Sequence, residues 1–158
     1  MNEREELLKR GKKRALHLLE RKDYSRKELK EKLSKGEYDE ELQEEIIAYL
    51  DSFHYLDDYR VAASFIRSRK EQKSKRELQY LLIQKGISEE DIARAMEENY
   101  SNEDGIPQEE LTLERWKKKY NLTDEILEEM SYEEKQKYAA KLYRKGFSQE
   151  KIRKALQL

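Results

Sequence analysis

The chain has 158 residues, 44% charged and 36% hydrophobic, and its 34 Lys and Arg nearly cancel 35 Asp and Glu to a net charge of −1. That length suits one ordinary domain or a short array of smaller units; the charge fraction raises disorder, but Leu, Ile, Val and Phe at about 21% together with 11 Tyr indicate a folded, lightly cored chain. The absence of cysteine excludes disulfides, thiolate metal sites and thiol nucleophiles, no apolar run approaches the roughly 18 residues of a membrane span, and MNEREELLKRGKKR lacks the apolar middle of a secretory signal, so a soluble cytoplasmic protein is expected.

β-Branched residues are scarce while Glu, Lys, Leu, Arg and Gln dominate, which predicts an all-α fold. Ala15, Leu18 and Leu19 line a first helix. Ser25, with Glu28 three residues on, has the form of a capping box and opens a helix carrying Leu29 and Leu33 that stops at Lys35-Gly36. Asp39 caps a third, with Leu42, Ile46, Tyr49, Leu50 and Phe53 at helical spacing. Asp57 is placed as the cap and Asp58 in the first turn of the next helix, whose inner face is Val61, Ala62, Phe65 and Ile66. Ser74 and Glu77 open a helix with Leu78, Leu81 and Leu82 that ends at Lys85-Gly86, and Ser88 caps another with Ile92, Ala95 and Met96. A break follows at SNEDGIP, residues 101–107, where Gly105 and Pro107 interrupt helix formation. Beyond it, a helix from about Gln108 to Tyr120 carries a poorly formed stripe of Leu111, Leu113 and Trp116. Ser131 and Glu134 open a helix with Tyr138, Leu142 and Tyr143 ending at Lys145-Gly146, and Ser148 caps the last, with Ile152, Ala155 and Leu156. Each Lys-Gly step is expected to place its glycine in the left-handed conformation that closes a helix.

The segments KGISEEDIARAM, residues 85–96, and KGFSQEKIRKAL, residues 145–156, share six of twelve positions, and KGEYDEELQEEI, residues 35–46, is a weaker third copy. The chain therefore reads as three tandem three-helix repeats, about 5–54, 55–100 and 107–158, with nine helices. About 20 apolar positions of good size cannot fill one deep core, so an elongated, curved array of either hand is expected.

Little supports catalysis. His17 and His54 lie apart with no second ligand at helical spacing, the five glycines are isolated rather than grouped in a phosphate loop, and neither a metal nor a cofactor is implied. Charge is more informative, because it alternates in blocks: +6 over residues 1–36, −8 over 37–60, +5 over 61–86, −9 over 87–114, +4 over 115–120, −6 over 121–134 and +7 over 135–158. KRGKKR near the N-terminus, RSRKEQKSKR from Arg67, and KYAAKLYRKG with KIRK near the C-terminus could each neutralise phosphates, and taken alone they fit nucleic-acid contact and plain solvation equally. Tyr138 and Tyr143 fit core spacing, so packing is expected of them rather than base stacking.

The run YLDDYRVAASFIRSR, its basic linker and RELQYLLIQKGI resemble the bacterial RecX family, regulators of the RecA recombinase. The matching residues are Leu56, Asp57, Asp58, Ala62, Phe65, Arg67, Ser68, Arg69, Glu77, Leu78, Lys85, Gly86 and Ile87, with ALHLLERKDYSRKELKEKLSKG and RKGFSQEKIRKAL extending the likeness from about Ala15 to Leu156. The linker reads KEQKSK where the family often has Gly-Pro, and Val61 stands where it has Phe. The resemblance implies a non-enzymatic protein of recombination, repair and the SOS response. Such a protein would bind RecA filaments on single-stranded DNA, lodge in their groove and suppress ATPase and strand exchange. Contact candidates are Arg67, Arg69, Lys73, Lys75, Arg76, Lys85, Arg144 and Lys145; Ser25, Asp57, Ser74, Ser88, Ser131 and Ser148 are expected to be structural caps. A monomer is expected, with acidic blocks around Glu44, Glu45, Glu89 and Glu90 turned to RecA. The alternative is a direct, sequence-independent DNA- or RNA-binding module that needs no RecA.

Overall fold

A computed structural model describes residues 2–100 and 108–158; the expected break at Gly105 and Pro107 lies outside the described residues. It contains ten helices among the described residues and no strand: α1 (Glu3–Arg21), α2 (Arg26–Ser34), α3 (Glu40–Ser52), α4 (Asp58–Arg69), α5 (Lys75–Gln84), α6 (Glu89–Asn99), α7 (Gln108–Lys119), α8 (Asp124–Glu129), α9 (Tyr132–Arg144) and α10 (Gln149–Leu156). The helices start where short polar side chains can take up free amides. Asn2, Ser25, Asp39, Thr123, Ser131 and Ser148 each accept a hydrogen bond from the third residue of the helix they precede. Asp57, Ser74 and Ser88 do the same for Arg60, Glu77 and Asp91.

The chain divides into two units, Met1–Ala62 with Leu82–Ile92, and Ala63–Leu81 with Ala93–Leu158. Helices α4, α5 and α6 each begin in one unit and end in the other. In the first unit α1 packs on α3 and α2 around Ala15, Leu29, Leu33, Leu42, Ile46 and Leu50, with Leu18 and Leu19 half-buried at the edge. Gly11 is buried where α1 approaches α3, and a methyl group there would collide with the Ile46 side chain. Phe53, expected in this core, is 53% exposed. The reason is its place: α3 stops at Ser52, and His54 at φ 58° turns the chain. The His54 amide donates to Asp51 O (3.0 Å) and the Tyr55 amide to Leu50 O (3.0 Å), the bond pattern that closes a helix on a left-handed residue.

In the second unit Leu113, Trp116, Leu122, Leu127, Leu142, Phe147, Ile152 and Leu156 form the core. The tenth helix, α8, is the addition to the nine expected; Thr123 opens it and Leu127 is fully buried within it. Tyr138 packs edge-on against Trp116 at 5.7 Å, as its spacing predicts. Tyr143 does not, being 53% exposed beside the buried Leu142 in the last turn of α9.

Candidate functional site

The segments SRKEL, residues 25–29, and SKREL, residues 74–78, open α2 and α5, and their serines are buried, with exposures of 0% and 1%. A hydroxyl so placed can accept one hydrogen bond and donate another. Ser25 Oγ accepts from Glu28 N (3.1 Å) and donates to Lys85 O (2.6 Å), 60 residues away. Ser74 Oγ accepts from Glu77 N (3.1 Å) and donates to Lys145 O, 71 residues away.

What each serine grips is a helix end built for close approach. Gly86 and Gly146 have φ of 79° and 98°. Around them Gly86 N donates to Ile83 O (2.9 Å) and Ile87 N to Leu82 O (3.2 Å), matched by Gly146 N to Tyr143 O (3.0 Å) and Phe147 N to Leu142 O (3.2 Å). A Cβ on Gly86 would stand 2.6 Å from Lys27 Cβ, and one on Gly146 would stand 2.9 Å from both Arg76 Cβ and Ser74 Oγ. Serine and glycine are thus two halves of one clasp, formed once in each unit. The Lys35-Gly36 step departs from expectation: Gly36 is not left-handed, and its nearest neighbour is the Tyr38 ring.

Charge separates the two clasps. At the first, Glu28 accepts from Ser25 N (3.1 Å) and from Lys85 Nζ (2.9 Å). Burial pushes the Glu28 carboxyl up, but these bonds outweigh it and hold the carboxyl below its ordinary range. The Arg26 guanidinium is taken by Asp51, and its amide donates to Asp58 Oδ1 (3.0 Å). Burial raises the Asp58 carboxyl despite that bond. The two adjacent acids therefore start two helices, Asp57 its own and Asp58 the distant α2.

At the second clasp Lys75, Arg76, Arg144 and Lys145 are all exposed, and none has a carboxylate partner among the described residues. Two candidate pairs far apart in sequence are brought to one place. The other candidates fare differently. Lys85, at 21% exposure, is held by Glu28, and Lys73 by Glu77 (3.0 Å). Arg67 donates to Asn99 Oδ1 (2.9 Å), and Arg69 lies 4.3 Å above the Phe65 ring. Sequence reasoning missed Arg26, Lys27 and the second bond of each serine; the shared Ser-basic-basic-Glu-Leu spelling was the signal for them. Among the described residues no group of three His, Cys, Asp or Glu could hold a metal ion, and no helix is long and apolar enough to cross a membrane.

Fold and clasps define a tandem helical-repeat protein with a cationic edge. Its residues 12–50, 57–96 and 108–156 match the first, second and third three-helix domains of RecX, and the chain belongs to the RecX family. It is 30% identical over 151 residues to the Regulatory protein RecX of Caldanaerobacter subterraneus subsp. tengcongensis, covering 95% of this chain and 71% of that one. The same-named protein of Clostridium perfringens strain 13 is 28% identical over 133 residues, 84% of this chain and 60% of that one. The crystal structure of RecX from Lactobacillus salivarius superposes with a TM-score of 0.70 at 23% identity, covering 95% of this chain and 94% of that one. A second crystal structure, of regulatory protein RecX, gives 0.74 at 23% identity, covering 95% and 71%.

Proposed function

We propose that this chain is a cytoplasmic, monomeric regulator that binds RecA filaments on single-stranded DNA and lowers their ATPase and strand-exchange activities. The observation that carries this reading is the run of all three RecX three-helix domains along one chain. The exposed cations of the second clasp, Lys75, Arg76, Arg144 and Lys145, with Arg67 and Arg69 at the end of α4, are the DNA- or RecA-facing contacts in this proposal. Lys73 and Lys85 are reassigned to holding the fold, because Glu77 and Glu28 occupy them. Glu44, Glu45, Glu89 and Glu90 supply the acidic side that meets RecA. RecA ATPase on single-stranded DNA, titrated with this protein, tests the function: suppression is expected well below one chain per RecA, and undiminished turnover at equimolar chain would overturn it.

A further inference from the structure

Two aromatic rings just past the end of α3 are not used by the core, and a third, the half-buried Tyr49, links them to it. Phe53 and Tyr55 are 53% and 45% exposed, and their rings stack at 5.6 Å with an interplanar angle of 18°. Tyr49 meets Phe53 edge-on at 5.2 Å. His54, held at φ 58°, is the turn that sets the flanking rings side by side. The strip continues into a cleft bordered by Leu16, Leu19 and Tyr55. Leaving so much ring surface in water forgoes the burial each ring could gain, so a ligand with flat faces of its own fits it.

The charge beside the strip narrows the choice of ligand. Lys12 Nζ sits 4.4 Å from the centre of the Tyr49 ring. Lys9 and Lys13 share its side of α1 at the helical spacing that leads to Leu16 and, like Lys12, have no carboxylate partner among the described residues. Two of the carboxylates around the strip are occupied, Asp51 by Arg26 and Asp23 by Arg60 (3.3 Å), which leaves Glu20 as the exposed acid at the cleft. A stack of rings beside free ammonium groups is the chemistry that takes bases on their faces and phosphates on the flank.

We infer that Tyr49, Phe53 and Tyr55, with Lys9, Lys12 and Lys13, form a stacking site for single-stranded nucleic acid. The site belongs to the unit of the first clasp, uses none of the contacts proposed for RecA, and operates without RecA. Its test is fluorescence anisotropy of the full chain with labelled oligothymidylate and oligouridylate of about 12 nucleotides, and with an abasic strand of equal length. Phe53→Ala with Tyr55→Ala is expected to weaken binding to both base-bearing strands by about tenfold and to leave the weaker binding of the abasic strand unchanged. Phe53→Trp is expected to keep the affinity and to add indole emission, over that of Trp116 in the parent chain, which is quenched by the base-bearing strands alone; this guards against a misfolded double variant. Equal affinity for abasic and base-bearing strands, or no loss on removing the rings, overturns the site. Loss of RecA-filament suppression with oligonucleotide binding intact also overturns it, and assigns the strip to a protein partner instead. Stacking on the oligonucleotides without any effect on RecA leaves this site standing while the proposed function falls.

Discussion

At the first clasp Lys85 closes onto Glu28 and Arg26 onto Asp51, whereas at the second the corresponding cations, Lys145 and Lys75 with Arg76 and Arg144, stand exposed with no carboxylate among the described residues. The backbone of the two is the same: a buried serine hydroxyl, a lysine carbonyl and a left-handed glycine. A clasp made from hydroxyl, carbonyl and glycine does not depend on the side-chain charges around it. Those charges are therefore free to hold the fold at one place and to stay in solvent at the other.

The clasp itself gives the largest expected effects. Gly86→Ala and Gly146→Ala each combine a left-handed residue with a Cβ pressed on Lys27 or Arg76, and each should cost roughly 2–4 kcal/mol in urea unfolding. Gly36→Ala, with no left-handed requirement, should cost under about 1 kcal/mol. Equal losses at all three glycines would break the distinction between a clasp and an ordinary helix end. Next come Ser25→Ala and Ser74→Ala, each leaving a lysine carbonyl and a helix start without their shared hydroxyl. Each is expected to lose about 2 kcal/mol.

Lysine replacement then divides the two clasps. Lys85→Met removes a half-buried partner of Glu28 and should cost about 1 kcal/mol. Lys145→Met should leave the melting temperature unchanged and weaken filament binding instead. A destabilised Lys145→Met chain would refute the comparison. Acid titration sharpens it further. Because Glu28 is held below its ordinary value of 4.5, its stabilisation is complete above that pH and disappears as the pH falls through the lower folded value. Asp58 works in the opposite sense: its raised carboxyl favours the fold as it takes up a proton. Glu28→Gln should remove the acid-dependent loss attributable to the first clasp, seen as a smaller drop in the urea midpoint below pH 4.5. The smallest effect is expected at His54→Gly, which relieves a positive φ and should stabilise the chain by about 0.5–1 kcal/mol.

The helix starts were legible because Ser, Asp and Asn act within three residues, a range that a linear reading spans. Gly86 and Gly146 were legible for the same reason. His54, Asn121 and Gln157 take left-handed φ of 58°, 55° and 58° without being glycine; Asn and His favour that conformation more than most residues, but their identity alone does not fix a turn as glycine's does. Phe53 and Tyr143 sit at core spacing, but Phe53 is the cap residue just past α3 and Tyr143 lies in the last turn of α9, and both are exposed there. Basic candidates could be found by composition, but which of them were taken depended on bonds 57 residues long, such as that of Lys85 to Glu28, and these lie outside any local pattern.

The central claim is that the second clasp leaves its cations free for the filament. RecA ATPase on single-stranded DNA, titrated with the natural chain and with a Lys75→Glu, Arg144→Glu variant of equal melting temperature, tests it most directly. Suppression by the natural chain is expected well below one per RecA, with about tenfold more of the variant required. Identical titration curves for the two chains would contradict it.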